Sequence, residues 1–104
     1  MDKQGRSSTD QAAIHIDGEH ETSNGWLYTF HIDWSDGQRS DHELTLSWVD
    51  HEHLVGGAVS PSVVAAVVAR IASAHCGHKG MPARCDVSIL RRQIAGFDEM
   101  VKAG

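Results

Sequence analysis

The sequence predicts a small α+β domain: a three-stranded antiparallel sheet followed by two helices packed on one face. Three observations carry that prediction. Apolar residues alternate strictly through the first half of the chain, most clearly in "WLYTFHIDW". A Ser-Asp-Gly turn follows it, with the length that keeps the alternation in phase across a hairpin. Beyond Ser60 the apolar spacing changes to the 3.6-residue period of a helix. A chain of 104 residues holds one core, so 11–104 read as a single domain.

Residues 1–10, "MDKQGRSSTD", are polar and patternless and are expected to form a disordered lead-in. In "AAIHID", Ala12, Ile14 and Ile16 share one face, which predicts a short strand, and "GEHETSNG" then reads as a loop. The second strand sets Trp26, Tyr28, Phe30, Ile32 and Trp34 toward the core and Leu27, Thr29, His31 and Asp33 away from it. A two-residue turn would bury the wrong face of the next strand. A three-residue loop, Ser35 to Gly37 with Gly37 left-handed, restores the parity. It pairs Trp34 with Gln38, Phe30 with His42, Tyr28 with Leu44 and Trp26 with Leu46. On the outer face it sets Asp33 against Arg39 and His31 against Asp41. The third strand carries Leu44, Leu46 and Trp48 on the core parity and is expected to run on through "DHEH".

Ser60 and Pro61 begin a helix as N-cap and first helical residue, and Gly77 ends it in a left-handed conformation. Val63, Val64, Val67, Val68 and Ile71 form its apolar stripe. "HKGMP" is a loop. A second helix starts at Asp86 or Ser88, aligns Val87, Leu90, Ile94, Phe97 and Val101, and breaks or bends at Gly96.

A net charge of -5 repels a phosphate backbone, and Arg91-Arg92 is too small a basic patch to reverse it, so nucleic acid is not an expected partner. The longest apolar run, Val63 to Ala69, is too short to cross a bilayer, and the N-terminus lacks a signal peptide's apolar segment. No membrane contact and a cytoplasmic location follow as expectations. Cys76 and Cys85 make no disulfide framework. Protonating all eight histidines would add eight charges to -5 and give +3.

Two clusters have metal-ligand chemistry. On a continuing third strand, His51 and His53 of "DHEH" share the outer face, where His15, His31 and Asp41 could complete a zinc shell. Cys76, His78 and Cys85, with His75 beside them, are a zinc-compatible set whose spacing fits no finger or ribbon. The plainer readings are a solvated strand end and a capped, packed helix terminus. The echo "HID" at 15–17 and 31–33 is explained by strand patterning. No nucleophile elbow, phosphate loop or dinucleotide glycine pattern is present, so no catalytic residue is assigned.

Opposite the valine stripe lie Ser62, Ala65, Ala66, Ala69 and Ser73, small residues that allow close approach of another backbone. They either meet the C-terminal helix or form a contact surface for a protein partner or homodimer, with Asp50 and Glu52 on an acidic rim. The sequence therefore reads as a non-catalytic domain without a cofactor, acting through protein contacts as a regulatory or accessory module. The alternative is a zinc-type metal-binding protein.

Overall fold

A computed structural model describes residues 12–56 and 58–104. The expected lead-in over 1–10 lies outside them. The described elements run β1 (Ala13–Glu21), β2 (Gly25–Asp33), β3 (Arg39–Ser47), α1 (Trp48–Val55), α2 (Pro61–Gly80), β4 (Arg84–Asp86), α3 (Val87–Gln93) and α4 (Phe97–Ala103). The α+β class holds, with a sheet of four strands in the order β1-β2-β3-β4 and four helices among the described residues. The expectation of three strands and two helices is corrected. β4 joins parallel to β3, opposing Cys85 to Leu44, after the crossover through α1 and α2 that a parallel pair requires.

The hairpin register is the expected one. Phe30 opposes His42, Tyr28 opposes Leu44, Trp26 opposes Leu46, Asp33 opposes Arg39 and His31 opposes Asp41. The loop closes through Trp34 N–H donating to the Gln38 carbonyl at 2.8 Å, and Gly37 takes φ 85°. Tyr28, Phe30, Ile32, Leu44 and Leu46 are buried, each removing apolar surface worth about 1.5–3 kcal/mol. Helices cover this face, leaving the odd-numbered face of β2 and β3, and of β1 as far as Asp17, to solvent.

Three further expectations are corrected. β1 does not stop at Asp17: it runs to Glu21 through a β-bulge between Ile16 and Gly18, so half of "GEHETSNG" is strand. β3 stops at Ser47, whose hydroxyl accepts from Asp50 N–H at 3.0 Å and starts α1, leaving Trp48 49% exposed rather than in the core. "DHEH" is therefore helical. The small-residue face of α2 is internal, with Ala65, Ala69 and Ser73 buried, Ala66 partly buried and Ser62 exposed. Ala65, Ala69 and Ser73 pack within the domain and are not a free contact surface.

α2 kinks at Gly77, with φ 72° and ψ 172°, and its last turn continues to Gly80 where a loop was expected. The second helix is two, separated at Gly96 with φ 73°, and Val87, Leu90, Ile94, Phe97 and Val101 are all buried as the pattern predicts. No described helix is long and apolar enough to cross a membrane.

Candidate metal centre

The two "HID" copies meet. The β1–β2 register places His15 directly opposite His31 on the open sheet face. Their imidazoles stack with centroids 4.7 Å apart and planes 18° from parallel. Each histidine reaches a carboxylate of the other strand. His15 Nε2 lies 3.1 Å from Asp33 Oδ2, and His31 Nδ1 lies 2.9 and 3.0 Å from the two oxygens of Asp17. His31 Nε2 then stands 3.9 Å from Asp33 Oδ2.

Neighbouring side chains leave these groups to one another. Arg39 opposes Asp33 in register, yet its guanidinium turns along β3 to Asp41 at 3.1 Å. Arg84 lies 3.5 Å from Glu43. The expected pairs Asp33–Arg39 and His31–Asp41 are therefore replaced by Asp33–His15 and His31–Asp17. Both carboxylates oppose the imidazoles without a guanidinium between them.

One ligand atom from each of His15, His31 and Asp33 lies within 4.8 Å of the others. Tetrahedral zinc, with bonds of about 2.0–2.1 Å, holds its ligand atoms about 3.3–3.4 Å apart. The two histidine contacts to Asp33, 3.1 and 3.9 Å, straddle that separation. His31 meets a further requirement. A carboxylate only accepts, so Nδ1–H donates to Asp17, which in the neutral ring leaves the Nε2 lone pair for a metal, the carboxylate–histidine–metal arrangement. The set is a two-histidine, one-carboxylate donor group with His31 the most sheltered member, its side chain 16% exposed.

Of the residues expected to bind metal, His15 and His31 are in this group, while Asp41 is taken by Arg39 and the principal candidates lie elsewhere. His51 is buried on α1, its Nε2 2.7 Å from the Val59 carbonyl and its ring edge-on to Trp26. His53 is exposed, its Nδ1 3.5 Å from Arg91. Helical geometry thus sends the two histidines to different surroundings. Asp50 accepts from Arg91 at 2.8 Å, and Arg91 also forks onto Asp98. That guanidinium holds the Asp98 carboxyl below the usual carboxylate range. Glu52 is exposed.

His78 turns from the cysteines to bond Asp36 at 2.9 Å and stack on Trp34. Cys85 is buried, and burial together with nearby Cys76 pushes its thiol up to about 11, a structural rather than reactive thiol. Among the described residues, the His15, His31 and Asp33 group is the one in which three such ligands converge.

No protein-family model matches the chain, and no curated protein or solved structure matches it either.

His42 carries a second histidine network, buried on the core parity. Its Nδ1 lies 2.6 Å from the Pro82 carbonyl, and its Nε2 lies 2.6 Å from the Ser40 hydroxyl, which accepts from Trp34 Nε1 at 2.7 Å. All its polar atoms are engaged within the fold, and it ties β3 to the approach of β4. The sequence did carry a signal for the sheet-face site. It was the "HID" echo, whose antiparallel pairing crosses each histidine with the other copy's aspartate.

Proposed function

We propose that the protein is a non-catalytic metal-binding domain whose open sheet face takes one zinc-type ion through His15, His31 and Asp33. The observation that carries this reading is the orientation of His31. Asp17 occupies its Nδ1, so its Nε2, 3.9 Å from Asp33 Oδ2, is the ring nitrogen left for a metal, and the His15 ring stacked on it would turn to bring its own nitrogen onto the ion. Charge supports the same reading. With both imidazoles neutral, Asp17 and Asp33 offset the two charges of a divalent cation. Two nitrogen donors favour zinc and its transition-metal neighbours over calcium or magnesium, which take oxygen. Three protein ligands leave one position to water or an exchanging donor.

The ion would sit on the surface of a finished sheet, so reversible binding to an already folded chain is expected. Contact with a protein partner or second copy, the function read from the sequence, loses its main support because Ala65, Ala69 and Ser73 face inward.

Titration calorimetry with Zn²⁺ on tag-free, chelator-stripped protein tests the metal reading. One equivalent should bind, and His15→Ala, His31→Ala or Asp33→Ala should each abolish or sharply weaken binding. His53→Ala and Cys76→Ser should leave it unchanged. At a hundredfold excess over Kd, the ion should add about 2.7 kcal/mol of stability. Saturable binding that survives the double variant His15→Ala/His31→Ala, or no saturable binding at all, rejects this site.

A further inference from the structure

We propose that Asp17 is the positioning residue of this site and that the β1 bulge delivers it; the inference rests on the metal reading above. The β1–β2 register steps from Ile16 opposite Phe30 to Gly18 opposite Thr29. Asp17 falls in that step with no cross-strand partner of its own. In an unbroken ladder the residue after Ile16 would oppose Thr29. The extra residue instead frees Asp17 from the pleat, and its carboxylate reaches His31 Nδ1 with both oxygens, at 2.9 and 3.0 Å.

Glycine follows because the space there is taken. A Cβ at Gly18 would stand 2.9 Å from Thr29 Oγ1, close enough that one of the two would have to move. The "DG" of "HIDG" is thus a unit in which the aspartate supplies the carboxylate and the glycine permits the bulge that aims it.

The two histidines then have unequal roles. His31 is preset, with Nδ1–H donated to Asp17 and Nε2 free. His15 touches Asp33 through Nε2, the same atom that a metal would take, so His15 must release a contact to bind while His31 need not. Asp17 touches no ion. It acts through the tautomer and ring orientation of His31.

Two readouts test this. Long-range ¹⁵N NMR of the metal-free protein should find His31 in the Nδ1–H form, and Asp17→Ala should move it toward the Nε2–H form. Calorimetry should find Zn²⁺ affinity about 10–100-fold weaker in Asp17→Ala, with Asp17→Asn, which keeps the shape without the charge, between the two. Amide spectra matching wild type show that the fold is kept. Zn²⁺ binding within about twofold of wild type in Asp17→Ala, with the His31 tautomer unchanged, overturns the proposal. Failure of the wild-type protein to take Zn²⁺ rejects the metal reading on its own. The tautomer still decides Asp17 in that case: an Nδ1–H form lost in Asp17→Ala upholds its positioning role, and an Nε2–H form in wild type overturns it.

Discussion

Tyr28 sits at the middle of the core with no exposed surface, and among the described residues its hydroxyl has no close hydrogen-bond partner, with the Glu19 carboxylate opposite it in the ladder as the acceptor that acts on it. Burial first, and then the neighbouring Glu19 carboxylate, push its pKa above the ordinary phenol range. The ring contributes to packing, while an unpaired buried hydroxyl costs about 1–3 kcal/mol. Tyr28→Phe should therefore hold stability level or raise it by about 1 kcal/mol, measured by urea unfolding. A clear loss would mean that the hydroxyl is bonded in solution. At this scale the sequence was informative about faces and uninformative about partners. Alternation put His15 and His31 on one surface, as found. It could not say that Arg39 would take Asp41 two residues along its own strand rather than Asp33 across the ladder. Exposed pairs of this kind differ by less than about 1 kcal/mol, too little to leave a pattern in the residues.

At the scale of elements, the β2–β3 hairpin, the proline-led α2 and the break at Gly96 were all legible, because each rests on local chemistry. α1 was not, since Leu44, Leu46 and Trp48 continue the strand parity one residue beyond the last paired position. The missed signal was Ser47 with Asp50 three residues on, a reciprocal cap in which Ser47 Oγ accepts from Asp50 N–H and donates to its carboxylate, both at 3.0 Å. Ser47→Ala should cost about 1 kcal/mol, read as a shift in the urea midpoint with an unchanged slope. An unchanged midpoint would mean that α1 is held by Leu54 and the Arg91–Asp50 pair without its cap. β4 was illegible for a different reason. Three residues show no alternation, and this strand exists because Glu43 N–H donates to the Ala83 carbonyl at 2.8 Å along the edge of β3 that β2 leaves open. The β1 bulge hid in the same way, since "IHIDGEHE" alternates on both sides of the inserted residue.

For the whole molecule, acid response follows from carboxylates fixed far apart in sequence. Asp98 is held low by hydrogen bonds from Arg91. Asp86 is raised by burial but lowered on balance by hydrogen bonds from Ser88 and Thr45. Each folded value lies below the unfolded one, so the unfolded chain takes up protons first as pH falls. The stability they contribute is complete above the unfolded carboxylate range and is lost as pH drops through the folded values, below about pH 4. Urea midpoints should fall between about pH 5 and pH 2.5, and Asp98→Asn should flatten that fall. A variant as steep as wild type would remove Asp98 from the account. The bulge has a consequence at this scale as well. β1 is a nine-residue strand with β2 as its one sheet neighbour among the described residues, and a flat edge of that length is a template on which further copies can stack into fibrils. The inserted residue interrupts the ladder midway, and Asp17, Glu19 and Glu21 repel an incoming copy of the same strand. The kink that aims one carboxylate thereby also blunts the edge against such stacking.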